Sequence, residues 1–564
     1  MQLCFRPLTL LYILLFILIQ EINGVELKDH ESKRSPEALF SRHAPSDAIT
    51  FVESVHTDDH SGEWSRAHWQ IPSRTSNPDT TVVLLNWSRL SNVLLQAAAY
   101  CSPLLQDIVE RVYIWNNRPN LTLSYNEHFS QTGCRPGQLT IYNSPENLLF
   151  QARFLGCIRS GSRYCFLQDD DYITRPEILR NIHAWFNQAS NNSKEDPVPI
   201  ILQPPHDHLE STLLNITIAA PASSTRVETS FACLGHGTFL LHSQAESFMN
   251  MLEHLGLPWE EKTIADNYFT ILSGTKPNIW FTHTIELSYT ETPPFTFGKE
   301  GDERNWRHIN RAMIYLHGLL QDTQNKPLLS PENTTQESLQ TAPCISDACI
   351  ISSNVTTLPS YVFDHSEPWT QDTRMQTVQA TRISRLAEEG VKWYLSYPLM
   401  NAVDGDAMTA FRSFGHAKAG DTITLALYAS RQISTSKQAE MAFLVDVHTA
   451  AILHSATFQT SMDHNAWNNL ETTPLLCYPT TYIDVEPYTS PPSMLRSPLQ
   501  QETKATFSPP QQFTPWDGNT SLMECSVSFE LISRRIPDAI RLVLPRNLPY
   551  VWAIYETWLR LKHG

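Results

Sequence analysis

Three aspartates follow one another at Asp169, Asp170 and Asp171, directly after the apolar run Tyr164-Cys165-Phe166-Leu167-Gln168. Carboxylates this close repel and raise one another's proton affinity, and a hard divalent cation with oxygen ligands relieves that repulsion. Mn2+ or Mg2+ held there and shared with a pyrophosphate would neutralise the charge on a departing nucleotide diphosphate. Asp171 is the expected metal ligand, with Asp169 as a second. Asp169 would also reach the sugar or ribose. A bare acidic triplet reads more simply as a solvated turn. A strand that delivers it favours the cation.

The elements around the triplet supply that setting. Thr81-Val82-Val83-Leu84-Leu85 predicts a buried strand, and a helix-like stretch runs from Leu90 to about Cys101. Ile108 to Trp115 predicts a second strand, Ala152 to Ile158 a helix, and Arg163 to Gln168 a third strand. Pro176 to Asn187 reads as a helix, Pro199 to Leu202 and Phe231 to Leu241 as strands. Helices are expected over Ser243 to Leu255, Ile264 to Leu272 and Trp306 to Leu320. Strands alternating with helices, with polar residues at strand ends, define an open α/β sheet that binds ligands outside its carboxyl edge. From Tyr361 onward the pattern becomes short β-type runs, as in an all-β sandwich.

Other residues carry possible chemistry. Arg89 and Arg153 can recognise phosphate bidentately. Asp266 opens an apolar helix, where a carboxylate serves as N-cap and as catalyst equally well; Glu261 is its substitute. Gly235-His236-Gly237 allows close backbone approach or a tight bend. His206-Asp207-His208 resembles a metal motif without a third ligand, and reads as a polar loop.

Several segments, in order, resemble the catalytic domain of the exostosin and exostosin-like glycosyltransferases. They are VVLLNWSRLSNV at the first strand, IWNN closing the second, Arg153-Phe154 sixteen residues before the triplet, YCFLQDDDYI, and WRHINRAMIYLHGLL near the domain's end. The resemblance implies a GT-A, Rossmann-like nucleotide-sugar fold over residues 80–320. It implies transfer of an N-acetylhexosamine-type sugar from a UDP-sugar, with Mn2+ and retention of configuration, to a glycan or glycoprotein acceptor. Arg89, Asn116, Asn147 and Arg153 would line the UDP pocket with Asp169 and Asp170. Asp266, Glu261 and Arg311 would be the catalytic group, Arg311 approaching the donor sugar or its diphosphate. Farther on, VDGDAMTAFRSFGHAKAGDTITLAL resembles a discoidin or galactose-binding-like module with a packing or accessory role.

The expected organisation is a leader at 1–24, a stem at 25–78, the transferase domain at 79–321, a Thr/Ser/Pro-rich linker at 322–359 and a β-sandwich at 360–564. The apolar run after Arg6 suits a cleavable signal peptide, or a short signal anchor that would make a single-pass type II membrane protein. Either places the chain in the secretory lumen, ER or Golgi, or outside the cell. Asn-X-Ser/Thr at Asn86, Asn120, Asn191, Asn215, Asn333, Asn354 and Asn519 agrees with that compartment. Asn86, at a strand end, is not expected to be modified. The oxidising lumen permits disulfides. Cys344 with Cys349 could close a small loop and Cys477 with Cys525 could tie the C-terminal region. Once Cys4 leaves with the leader, nine cysteines remain, which leaves one odd thiol. A net charge of −17 disfavours nucleic acid as a partner, which needs a basic surface. Two rival readings stay open: an inverting transferase using a carboxylate base, and a carbohydrate-binding scaffold with a degenerate transferase domain.

Overall fold

The computed structural model describes residues 64–66 and 77–562, apart from 193–195, 220–225, 275, 288–297, 322–338, 346, 365–368, 429–436, 464–465, 481–521 and 532–535. The expected leader and most of the stem lie outside the described residues. Among the described residues no helix is long and apolar enough to cross a membrane.

A seven-stranded sheet organises the first half. Its strands are β1 (Thr80–Asn86), β2 (Val109–Asn116), β3 (Leu139–Asn143), β4 (Tyr164–Gln168), β5 (Ile200–Gln203), β6 (Thr238–Leu241) and β7 (Asn278–Phe281), in the spatial order β7-β5-β6-β4-β1-β2-β3. β1 pairs in parallel with both β2 and β4, and β2 with β3, so the carboxyl ends of these four strands share one edge. β6 runs antiparallel between β4 and β5, which makes the sheet mixed.

β4 sits near the middle with every residue buried. Burial on both faces explains its unbroken apolar run. Successive residues point to opposite faces: Cys165 and Leu167 join one core with Phe154, Phe248 and Phe269, while Tyr164 and Phe166 join the other with Val93, Ile178 and Phe186. Helices α1 (Leu90–Tyr100) and α3 (Pro176–Asn192) cover the second face; α2 (Gln151–Ser160), α5 (His242–His254), α7 (Asp266–Leu272) and α8 (Gly298–Gln321) cover the first.

Three expectations need correction. Only Thr238–Leu241 of the predicted 231–241 strand is extended; residues 234–237 form a turn closed by the Gly237 N–H donating to the Leu234 carbonyl (3.2 Å). The helix expected over 264–272 forms as α7 from Asp266, and a short helix, α6 (Trp259–Thr263), precedes it. His206-Asp207-His208 is no loop but the first turn of α4 (Pro205–Leu213), opened by Pro205 at its first position. The segment read as linker contributes strands Gln340–Pro343 and Cys349–Ser353 to a C-terminal sheet.

Two six-stranded antiparallel sheets share one core in the C-terminal part, with Ile351, Leu425 and Leu542 facing Met441, Phe443 and Trp552; one of the sheets takes its edge strand, Trp64–Arg66, from the segment expected to be a loosely ordered stem. The expected pairing of a Rossmann-like α/β domain with an all-β sandwich is what the chain forms. A helix the sequence pattern did not reveal, α9 (Met375–Ser396), joins the two. α4 is shared property: Leu209 and Leu213 belong to the sandwich core, the Tyr394 hydroxyl lies 2.7 Å from His208 Nδ1, and Arg382 donates to the Leu213 carbonyl (2.9 Å). His208 stacks on Phe281 at 3.9 Å, and burial pushes its pKa down to about 3, so the ring is neutral at pH 7.

Cys344–Cys349 and Cys477–Cys525 are bonded as expected, and Cys101–Cys134 and Cys157–Cys165 add two more disulfides. Cys233 is disulfide-bonded as well, so the expected odd thiol is not found among the described residues.

Candidate active site

The shared carboxyl edge of β1 to β4 gathers the polar strand ends. Asn86, Asn116 and Asn143 stand in register there, and their side chains form a ladder: Asn86 Nδ2 donates to Asn116 Oδ1 (2.8 Å), and Asn116 Nδ2 donates to Asn143 Oδ1 (2.9 Å). Asn116 is fully buried, so it underpins the edge instead of lining a pocket as expected. Asn86 is likewise buried and bonded, in line with its sequon being unused.

The neighbouring residue, Asn117, takes the position expected of Asn116. It lines an open cleft with Leu85, Trp87, Asn147, Leu149, Asp169 and Asp170. Its side chain also shapes the wall, accepting from the Leu148 N–H (3.1 Å) and donating to the Leu149 carbonyl (3.1 Å). Asn147 Oδ1 accepts from the Leu149 N–H (2.9 Å), and Leu149 is held at φ 46°. A leucine in left-handed backbone costs about 1–2 kcal/mol and persists where its surroundings fix it. Trp87, 37% exposed, offers an aromatic face beside Asp169 and Asp170. Sequence reasoning passed over Trp87 and Asn117, although both stand beside the quoted Asn86 and Asn116.

The triplet leaves β4 and meets two buried arginines. Arg153 reaches up from α2 with Nη2 2.5 Å from Asp169 Oδ1 and Nη1 3.1 Å from Asp266 Oδ2. Arg89, just before α1, bridges Asp170 (3.0 Å) and Asp171 (3.3 Å). The backbone is fastened as well: the Asp169 N–H donates to the Gly235 carbonyl (2.9 Å), and Gln96 Nε2 donates to the carbonyls of Asp169 and Tyr172 (both 2.5 Å). Gly235 is required by space. A Cβ there would lie 2.4 Å from Asp169 Oδ2, and Asp169 cannot yield easily while Arg153 holds it.

Burial raises the carboxyls of Asp170 and Asp266. Asp170 is pushed up by desolvation against the opposing pull of Arg89. Asp266 is pushed up to about 7, chiefly by burial and further by Asp169, with Arg153 opposing. Such a shift suits a group that exchanges protons near neutrality.

The structure therefore brings together Arg89, Arg153, Asn147, the triplet and Asp266. It does not place every residue as expected. Asp171, the expected metal ligand, is fully buried against Arg89, while Asp169 and Asp170 line the cleft. Glu261 and Arg311 pair with each other (3.3 Å), with the Tyr315 hydroxyl donating to Glu261 (2.9 Å), and none of these contacts is with the triplet. Arg311 is about half exposed on the outer face of α8.

Among the described residues no three His, Cys, Asp or Glu side chains are arranged to enclose a metal ion by themselves. A hard cation bound through one or two carboxylates plus substrate phosphates needs no such cage, and the donor set of the triplet fits that mode.

No family model and no curated protein matches the chain. Solved structures do. A mannosyltransferase from Pyrobaculum calidifontis in complex with GDP-mannose and Mn2+ is 12% identical, covering 52% of this chain and 77% of its own at a TM-score of 0.27. Glucosyl-3-phosphoglycerate synthase from Mycobacterium tuberculosis, in complex with Mn2+, UDP and glucosyl-3-phosphoglycerate, is 10% identical over 47% of this chain and 88% of its own, at 0.25. A CBM32 domain from Clostridium perfringens, in complex with GalNAc-β-1,3-galactose, is 11% identical over 28% of this chain and 81% of its own, at 0.16. At these TM-scores the likenesses carry no argument about the site, which rests on its own residues.

Proposed function

We propose that the chain is a metal-dependent glycosyltransferase that moves a sugar from a nucleotide diphosphate donor to a glycan or glycoprotein acceptor. The observation that carries the reading is the convergence of Asp169 and Asp170 on a cleft rimmed by Trp87 and Asn117, with Arg89 and Arg153 held against the same carboxylates. The donor is a UDP-sugar of the N-acetylhexosamine type, transferred with retention, as the resemblance to the exostosin-like enzymes implies. The compartment we assign is the secretory pathway.

The roles follow from position. Trp87 provides a stacking face for the nucleoside, and Asn117 and Asn147 shape the wall beneath it. The triplet offers oxygen ligands, with Asp171 and Asp169 as the proposed pair. Mn2+ or Mg2+, when bound, supplies charge neutralisation for the diphosphate leaving group. Asp170 and Asp171, now paired with Arg89, would be available to hold the cation, and the Arg89 guanidinium beside them would be placed to bind phosphate oxygens. Asp266 stands across Arg153 from Asp169, and its raised pKa lets it hold or give up a proton near pH 7. In a retaining reaction it would stabilise developing positive charge on the sugar; in an inverting one it would take the acceptor's proton. Glu261 and Arg311 are better read as a pair that fixes α6 against α8.

One observation favours the rival reading of a carbohydrate-binding scaffold: Arg89 already neutralises two of the three aspartates. A panel of UDP-sugars separates the two. The transferase reading expects Mn2+-dependent release of UDP from at least one sugar nucleotide, and NMR of the first-formed anomer then assigns retention or inversion. No release from any donor, with or without metal, would favour the scaffold.

A further inference from the structure

The turn at residues 234–237 is bound to the triplet more tightly than a connecting loop requires. The Gly235 carbonyl accepts from the Asp169 N–H (2.9 Å), and the His236 carbonyl accepts from Gln168 Nε2 (3.1 Å) and Thr174 Oγ1 (3.3 Å). The His236 ring lies against Tyr172 with ring centroids 4.0 Å apart, and only 4% of the residue is exposed. The turn thus touches both sides of the triplet, residue 168 before it and residues 172 and 174 after it.

The ring in turn is held from α4. His236 Nε2 lies 2.5 Å from Asp207 Oδ2, and His206 Nδ1 lies 3.3 Å from the other Asp207 oxygen. Burial alone would raise the Asp207 carboxyl; the charge of His236 and hydrogen bonds from both histidines outweigh it and hold the group below the usual carboxylate range. An ionised Asp207 therefore fixes the His236 ring with a proton on Nε2. The helix that carries Asp207 is itself anchored one residue later, where His208 meets Tyr394 of α9. Asp207 is a fixed point, and His236 connects it to the strand end that carries the triplet.

We propose that His236, oriented by Asp207, is a positioning residue for the acidic triplet, setting the backbone from which Asp169 to Asp171 project. The metal readout used below rests on the transferase reading; the exchange readout does not. Residues one step behind metal ligands commonly alter metal affinity by about 10–100-fold when replaced.

The test uses the full chain with His236→Gln, Asp207→Asn and the double variant. Calorimetry titrates Mn2+ into the protein in the presence of UDP, and hydrogen–deuterium exchange follows the amides of residues 164–172. The expected result is roughly ten-fold or greater weakening of Mn2+ binding in each single variant, with faster exchange in 164–172. The double variant should lose no more than the worse single, because the two residues act as one unit. A purely structural role would lower the unfolding temperature while leaving the Mn2+ affinity of the folded protein unchanged. Wild-type exchange and Mn2+ binding in both singles would overturn the proposal, as would losses that add in the double variant. If His236→Gln does not fold, Asp207→Asn, which preserves side-chain volume, decides alone. If the wild type shows no Mn2+-dependent UDP binding, the transferase reading fails while the exchange measurement still decides the role of His236.

Discussion

Arg153 and Asp266 meet at 3.1 Å beneath the acidic triplet, and the same guanidinium holds Asp169 at 2.5 Å on its other branch. One buried cation thus joins the strand-end carboxylates to the helix-start carboxylate. Two aspartates 97 positions apart in sequence become one electrostatic unit.

Removing that cation leaves two carboxylates facing each other out of water. Breaking a buried ion pair by deleting one partner costs about 3–5 kcal/mol. Arg153→Ala should lower the unfolding free energy by that order in a denaturant titration. A loss below about 1 kcal/mol, the value of a surface pair, would mean that the site opens to water and that Arg153 is not its keystone.

Asp266 imposes a pH dependence whose sign is fixed by its shift. Its folded pKa, about 7, lies above the ordinary carboxylate value near 4. Between those values the folded state binds more protons than the unfolded state, so stability falls as pH rises. Asp266→Asn removes the penalty. The variant should gain stability relative to wild type as pH rises from about 4 to 8, by on the order of 4 kcal/mol at most. Unfolding temperatures of both proteins, measured without added metal at pH 5 and pH 8, check this. A difference that does not change between the two pH values would refute the assignment.

Gly235→Ala should act on binding more than on folding. The added methyl would be 2.4 Å from Asp169 Oδ2 in a side chain that Arg153 locks, so the triplet must shift. We expect Mn2+-dependent UDP affinity to fall at least about ten-fold, as for other changes one step from a metal. Unaltered affinity would show that the triplet tolerates displacement.

Trp87→Ala separates the cleft from the fold. Its ring is over a third exposed, so stability should change by no more than about 0.5 kcal/mol. A base stacked on an aromatic ring is worth about 1–3 kcal/mol, so UDP affinity should drop about five- to 100-fold. Equal UDP binding in variant and wild type would remove Trp87 from the site.

Much of this arrangement was legible in the residues themselves. β4 announced itself because a strand buried on both faces must be apolar throughout, and the charge jump at Asp169 marked its end. Arg153 was legible by order and spacing, and the 3.1 Å contact with Asp266 is the tertiary fact that spacing could not supply. Asn116 and Asn117 show the limit. Both are polar residues at a strand end, and only strand register decides which one enters the buried ladder and which faces the cleft. His206-Asp207-His208 failed for a similar reason. On a helix its three side chains diverge, so Asp207 turns to the triplet's turn and His208 to the sandwich. α9 does carry a helical period, with Met375, Gln379, Arg382, Leu386 and Gly390 on its buried face, and went unseen because the runs after Tyr361 read as β-type.

The central claim is that the triplet binds a nucleotide diphosphate through a divalent cation. Calorimetry of UDP binding with Mn2+ and with chelator, on wild type and on Asp171→Ala, tests it most directly. The account predicts binding heat in the wild type that vanishes with chelator and is absent in Asp171→Ala. Wild-type protein that binds no UDP with Mn2+, or an Asp171→Ala variant that binds it equally well, would contradict the account.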